Sequence, residues 1–265
     1  MNLLILLALL CGSPARAEDD NSLTLVVAGK ETSYTLAELR KALKVETVTL
    51  DDPVYKTKKT FDGFSLESVF ALAGLKPGLR GDEIVFTAKD GYAPNATFDQ
   101  VKAHKAVLAF QEHGTQRHFG RVAQGKAMID PGPYYVVWSE GRALGESVPW
   151  PYQLVKIELV DFAKRYDKIF PLEKTPDSGA RKGFLTFKAQ CIRCHSINLQ
   201  GGDLGPELNN PKNITEYWDK ATLRAFIHDA SSFRLRDKMP SFTHLKDAEL
   251  DDLLEYLSYM KDHKL

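Results

Sequence analysis

The feature that most constrains this chain is Cys191-Ile192-Arg193-Cys194-His195, two cysteines three positions apart with a histidine directly after the second. This is the spacing at which c-type haem is attached. The two thiols add to the vinyl groups of the porphyrin, and the histidine supplies an imidazole nitrogen as the proximal iron ligand. Covalent attachment holds haem where little protein encloses it, so the motif predicts a small domain around one haem.

A second axial ligand is expected from a methionine. After the leader the chain has only Met128, Met239 and Met260. Met239 precedes Pro240, which lacks a backbone donor and restricts its neighbour to extended shapes, so a loop is expected there. Met260 lies at helical spacing near the chain end and is expected to pack, and Met128 lies in another region. Met239 is therefore the predicted distal ligand, with an ordinary core residue as the alternative.

The glycine-rich segment 201–206 follows the motif. Glycine lets backbone approach a flat ligand closely. A backbone carbonyl in this segment, with Pro206 as the preferred one, is expected to accept the second ring N–H of His195. That hydrogen bond would fix the imidazole tautomer and strengthen the ligand.

Helical patterns surround these ligands. Helices are predicted at about 178–190 and 215–230, and Leu250, Leu253, Leu254 and Leu257 form one apolar stripe near the end. Acidic residues crowd the start of this last helix and lysines its end, the order that the helix dipole favours. Residues 179–265 show no strand pattern.

Residues 178–265 resemble a class I cytochrome c domain. The resemblance is carried by Gly183, Phe187, the attachment motif, residues 204–206, Met239-Pro240 and residues 255–257. It implies an all-α fold in which the first and last helices cross at Gly183, Phe187 and Tyr256. It also implies one haem c with His195 and Met239 as axial ligands, and transfer of single electrons to and from a redox partner protein.

Two other readings of the cysteine pair find less support. A structural zinc site needs four ligands, usually paired, and His228, His244 and His263 lack such spacing. A thioredoxin-like redox pair is expected after a strand in a larger α/β domain. Loss of Met239 to a gas ligand, as in a haem-based sensor, is a further alternative for the haem itself.

The region before residue 165 has a different pattern. Strands are predicted at 23–27, 45–50, 83–87, 107–110, 134–138 and 154–159, with short helices after Thr35 and from Leu66 to Gly74. Many short strands with small helices are typical of an α+β domain. The region resembles the molybdopterin-binding domain of the sulfite-oxidase fold, on residues 61–66, 74–77, 86–92, 130–132 and 156–158.

One departure from that family matters. Its members ligate molybdenum with a cysteine thiolate, and residues 18–190 contain no cysteine. Oxygen or nitrogen ligands would not reproduce that sulfur. We therefore expect a docking module without its own substrate turnover. The alternative is an oxidoreductase whose N-terminal domain oxidises a small molecule and passes electrons to the haem.

Other N-terminal features leave two interpretations open. His104, His113 and His118 are close in sequence, but their spacing fits no metal motif, and ordinary polar histidines are favoured. The aromatic segments 131–138 and 149–152 would suit a docking surface, because Trp and Tyr are preferred interface anchors, or packing beneath a loop.

The N-terminal segment of the sequence predicts export. Residues 1–17 read as a cleaved signal peptide with a short apolar run and the Ala15-Arg16-Ala17 cleavage pattern, although no Lys or Arg precedes the run.

The predicted segments are 1–17, an α+β domain at 20–165, a linker at 166–177 and a cytochrome domain at 178–265. A formal net charge of +0 gives no support for a nucleic-acid partner, and no firm membrane anchor is predicted. The expected location is the periplasm.

Overall fold

A computed structural model describes residues 22–74, 83–116, 118–124, 127–145, 147–234 and 237–265. The predicted signal peptide at 1–17 lies outside these residues, as do residues 75–77 of the family resemblance.

The N-terminal region combines short strands and helices. In chain order they are β1 (Leu23–Val27), β2 (Lys30–Tyr34), α1 (Leu36–Ala42), β3 (Glu46–Asp52), β4 (Thr57–Ser65), α2 (Leu66–Leu72), β5 (Glu83–Ala88), β6 (Asn95–Ala96), α3 (Phe98–His104), β7 (Ala106–Glu112), β8 (Val122–Gln124), β9 (Ala127–Ile129), β10 (Tyr135–Trp138), β11 (Leu154–Val160) and α4 (Phe162–Arg165).

The strands form two main sheets. One has the order β2-β1-β11-β5-β6 and the other β10-β7-β4-β3. β1 runs parallel to β11, whereas the other neighbours in these sheets are antiparallel. A core cluster that includes Leu25, Phe64, Phe86 and Trp138 draws on both sheets. The predicted α+β class of this region is confirmed, and each of the six predicted strands is present, with ends that differ by a few residues.

Local signals set the helix starts. The Thr35 hydroxyl accepts from the Glu38 amide and the Glu38 carboxylate accepts from the Thr35 amide, so the predicted capping box is present. α2 ends where Gly74 takes a positive φ of 87°. The sequence analysis did not predict α3, although Thr97 and Gln100 form the same kind of capping box there.

The idea that residues 134–138 form a docking surface is wrong. Tyr134, Tyr135 and Trp138 are each 0 % exposed, because β10 is covered on both faces by the core. The Tyr135 hydroxyl donates to Oδ2 of Asp52 at 2.9 Å, and Asp52 is itself buried. These aromatic side chains stabilise the fold and offer no surface to a partner.

The C-terminal region is mainly helical. It contains α5 (Gly179–Thr186), a π-helical turn at Phe187–Cys191, β12 (Ser196–Ile197), β13 (Gln200–Gly201), α6 (Ile214–Tyr217), α7 (Lys220–His228) and α8 (Asp247–Met260). The expectation that this region lacks strands was wrong in one detail, since β12 and β13 form a two-residue ribbon. The helix predicted at 215–230 is two helices, because the Asp219 side chain caps the start of α7.

The first and last helices of this region cross as expected. A Cβ atom at Gly183 would overlap the Asp252 carbonyl and approach Cβ of Tyr256 to 2.8 Å, so only glycine allows this approach. The Tyr256 ring lies 5.7 Å from Phe184 and 5.6 Å from Phe187. Glycine and aromatic packing therefore fix α5 against α8, directly before the attachment motif.

The segment between the two regions packs against this helical core. Tyr166 and Ile169 are buried in the same cluster as α5 and α8. The Tyr256 hydroxyl donates to the Ile169 carbonyl at 2.8 Å. The connection is thus held in place by a hydrogen bond and by apolar contact.

Candidate haem site

The attachment motif lies where α5 unwinds. After the π-helical turn, the Cys191 carbonyl accepts from the amides of Cys194 at 3.0 Å and His195 at 2.9 Å. These two hydrogen bonds close a tight turn over the five residues that carry both thiols and the imidazole. The two cysteines are free of any disulfide.

The imidazole of His195 is held by the glycine-rich segment. Its Nδ1 lies 2.8 Å from the Pro206 carbonyl oxygen, the acceptor expected from the sequence. Since that nitrogen donates, Nε2 carries the lone pair and is the ring atom left for a metal. Gly205 makes room for the ring, because a Cβ there would lie 2.6 Å from Cε1 of His195.

Three consecutive carbonyls of the attachment loop have backbone partners. The Ile192 carbonyl accepts from Gly202 at 2.7 Å and the Cys194 carbonyl accepts from Gly205 at 2.7 Å. The middle carbonyl, of Arg193, accepts from the amide of Ala93 at 2.8 Å. That donor belongs to the N-terminal domain.

Burial dominates the electrostatics of this loop. Burial raises the pKa of the Cys191 thiol to about 12 and also raises the pKa of Cys194, although nearby Arg193 opposes both shifts. Burial lowers the pKa of His195, while its hydrogen bond to the Pro206 carbonyl acts the other way. The imidazole is therefore neutral near pH 7, which is the form that can donate to a metal.

Met239 lies in a bend between α7 and α8, outside any helix. Its amide donates to Oδ1 of Asp237 at 2.9 Å, which fixes the backbone before Pro240. The side chain is half-buried and packs against the hydrophobic cluster that Cys191 also contacts. Met260, in contrast, is 1 % exposed within the core, and Met128 is 53 % exposed on β9.

These residues fit a covalently bound haem. The donor set is two thiols, one imidazole with Nε2 available and one thioether in a loop, which are the groups that haem c requires. Because residue 205 is glycine, the backbone packs closely against the imidazole ring. The fit rests on the hydrogen bond that leaves Nε2 as the nitrogen for the metal.

A row of buried amides supports the loop from behind. Nδ2 of Asn198 donates to the carbonyls of Lys168 at 2.9 Å and His263 at 2.7 Å, and its Oδ1 accepts from Asn209 at 2.8 Å. Nδ2 of Asn213 continues the row by donating to Oδ1 of Asn209 at 2.7 Å. The sequence analysis missed this row, and the only signal for it is the clustering of asparagines at 209–213.

The N-terminal histidines do not form a metal centre. His104 pairs with Glu140, whereas Nδ1 of His113 lies 2.8 Å from Oδ1 of Asp62. Within the part of the chain that the structure describes, no group of three or more potential ligands is close enough to hold a metal. The interpretation of these residues as ordinary polar histidines holds for His104 and His113.

Comparisons with known proteins support the C-terminal reading. Residues 178–257 match the family described as cytochrome C oxidase, cbb3-type, subunit III. No curated protein matches the chain. Among the described residues, no helix combines the length and apolar character needed to cross a membrane.

Solved structures also match the chain. One is the sulfane dehydrogenase SoxCD from Paracoccus pantotrophus, with 17% sequence identity and a TM-score of 0.37. The match covers 54% of this chain and 38% of that one, so it spans well under half of the SoxCD chain. From the family match and the site geometry, residues 178–257 are a cytochrome c domain, joined in one chain to an α+β domain that has no cysteine.

Proposed function

We propose that this protein is an exported cytochrome that carries single electrons between redox partner proteins. One haem c is bound through thioethers to Cys191 and Cys194, and His195 and Met239 are its axial ligands. The observation that carries the proposal is the hydrogen bond from Nδ1 of His195 to the Pro206 carbonyl, because it presents Nε2 to a metal. Residues 1–17 act as a cleaved signal peptide, and the mature protein is periplasmic.

When bound, haem supplies an iron that changes oxidation state by one electron. The chain supplies the surroundings that suit this exchange. The Pro206 carbonyl keeps the His195 ring in one tautomer, and Gly205 lets the backbone pack closely against that ring. Met239 would hold the iron through its thioether, from a loop in which the Met239 amide donates to Oδ1 of Asp237. With His195 and Met239 both holding the iron, a substrate would have no open position on it.

We assign residues 20–165 to a docking or positioning module with a sulfite-oxidase-like fold that has lost its cofactor. The absence of any cysteine between residues 18 and 190 supports this assignment. The hydrogen bond from the Ala93 amide to the Arg193 carbonyl supports a positioning role beside the haem loop. Residues 166–177 connect it to the cytochrome domain at 178–265.

Positive charge near Met239 suits an acidic partner. Arg234 and Lys238 are exposed on the loop that carries Met239, and Arg236 lies outside the described residues. Opposite charge on a partner would raise the association rate, and salt would lower it.

The test is to express the chain in a host with a c-type maturation system and measure its metals and spectrum. We expect one iron per chain, haem that stays on the polypeptide after denaturation and a thioether charge-transfer band in the oxidised state. The reduced protein should not bind carbon monoxide. Cys191→Ala/Cys194→Ala is the matched control and should lose covalent haem.

Four results would contradict parts of the proposal. A colourless protein with two free thiols would refute the haem assignment. Binding of carbon monoxide to the reduced wild type would favour a sensor over a carrier. An equivalent of molybdenum or another metal besides iron would support the oxidoreductase alternative, and detection of the leader on the mature chain would refute cleaved export.

A further inference from the structure

The two domains meet at the attachment loop. The turn formed by residues 90–93, here called the interdomain turn, follows β5 in the N-terminal domain. The Ala93 amide donates to the Arg193 carbonyl at 2.8 Å, and the Asp203 amide donates to the Gly91 carbonyl at 3.3 Å. One backbone segment of the N-terminal domain is thus hydrogen-bonded to the attachment motif and to the glycine-rich segment that follows it.

Side chains reinforce the same contact. Burial raises the pKa of the Tyr92 hydroxyl, and the nearby Arg193 guanidinium opposes that shift, so the two side chains lie close together near Cys194. The Arg193 guanidinium also donates to Gln190, at 3.1 Å to its carbonyl and 2.8 Å to its side chain. Arg193, one of the two residues between the cysteines, is therefore held from both domains.

An ion pair with a buried carboxylate also joins the two domains. The Glu83 side chain is 4% exposed, pairs with Lys188 of the π-helical turn and accepts from Nδ2 of Asn95 at 2.7 Å. The pair joins β5 of the N-terminal domain to the π-helical turn that precedes the attachment motif.

We propose that the interdomain turn is a working part of the haem site, because it holds Arg193 and the Cys194 attachment point and thereby sets the reduction potential. This inference rests on the proposed function, since it requires that haem is attached. Burial and nearby charge are the levers by which a protein sets a haem potential. Loosening the turn would admit water and release the Arg193 cation, and both changes favour the more positively charged oxidised iron. The potential should fall.

Gly91 offers a test with a close control. Its φ is +83°, and a Cβ there would overlap the Asp203 carboxylate, whereas Gly114 has φ +80° and nothing within 4 Å of such a Cβ. Valine at either position meets the same backbone strain, but of the two only Gly91→Val also displaces a side chain of the cytochrome domain, the Asp203 carboxylate. The difference between Gly91→Val and Gly114→Val therefore measures the effect of the interdomain contact, without the backbone strain that both variants share.

The full-length, haem-loaded protein is titrated to obtain its midpoint potential, with haem content measured in parallel. We expect Gly91→Val to have a lower potential than both the wild type and Gly114→Val. Tyr92→Phe removes one hydroxyl, keeps the ring and tests the same contact if Gly91→Val does not fold. We expect it to shift the potential in the same direction and by less.

The outcomes separate the two proposals. If the wild type carries haem and Gly91→Val and Tyr92→Phe both keep the wild-type potential, the interdomain turn is only structural and the inference is wrong. If the variants change thermal stability but not potential, it is wrong for the same reason. If the wild type carries no covalent haem, the proposed function has failed instead.

Discussion

The contact between Gly205 and His195 allows the sharpest test of the haem site. A Cβ at position 205 would lie 2.6 Å from Cε1 and 2.8 Å from Nδ1 of the imidazole. Ordinary contacts begin at 3.4 Å, so Gly205→Ala forces the ring or the backbone to move by the difference. That movement displaces the ring from the Pro206 carbonyl.

The cost follows from overpacking. Forcing an extra carbon into a packed site typically destabilises by about 1–3 kcal/mol. A loss of 1–3 kcal/mol corresponds to roughly a 5- to 150-fold change in the unfolding equilibrium. The shifted imidazole should also weaken the axial bond to iron, so the oxidised spectrum should change as well as the stability.

The assay is urea unfolding of the haem-loaded protein, followed by haem absorbance and by far-ultraviolet circular dichroism. Gly132→Ala is the control, because its nearest atom is a side-chain oxygen of Asp130 at 3.2 Å and it lies far from the haem loop in sequence. We expect the control to stay within about 0.5 kcal/mol of the wild type. If Gly205→Ala matches this control in stability and spectrum, the imidazole is not held as described.

Three further predictions use other parts of the molecule. Met239→Ala should lose the thioether band and let the reduced protein bind carbon monoxide, whereas Met128→Ala, at an exposed strand position, should do neither. Gly183→Ala should lower the thermal unfolding temperature, because about 1–3 kcal/mol of overlap with α8 exceeds the gain of up to about 1 kcal/mol from helix propensity. Burial raises the pKa of Asp52 above its ordinary 3.8, so the folded state holds that proton more tightly than the unfolded chain. The urea midpoint should therefore fall as pH rises from about 3.8 through the raised pKa, and Asp52→Asn should remove that part of the slope.

Local patterns predicted much of this fold. The capping box at Thr35 and the apolar stripe of α8 act within one or two turns, so sequence alone identified them. β4 was not identified as a strand, because its first half carries lysines and its buried half, Phe61–Phe64, includes Asp62 and Gly63. Its partners β3 and β7 stabilise it, and that pairing is not visible in a single segment.

The candidate haem site likewise combines local features, which the sequence predicts, with long-range contacts, which it does not. The Pro206 carbonyl was predicted correctly as the acceptor for His195, since the two residues lie within a short stretch of chain, whereas the iron ligands stay predictions. The contact of Ala93 with Arg193 joins residues 100 positions apart. Nothing in the pattern at Asp90-Gly91 distinguishes a turn that faces solvent from one that bonds to another domain. Long-range placement of this kind depends on how both domains pack.

The buried amide row has a consequence for how the cytochrome domain folds. Small helical domains fold quickly because their contacts are close in sequence. Here Asn198 bonds to a carbonyl 65 positions away and to another 30 positions away. The segment behind His195 therefore reaches its final conformation only after both distant stretches have come together, and its contact order is higher than its helices suggest.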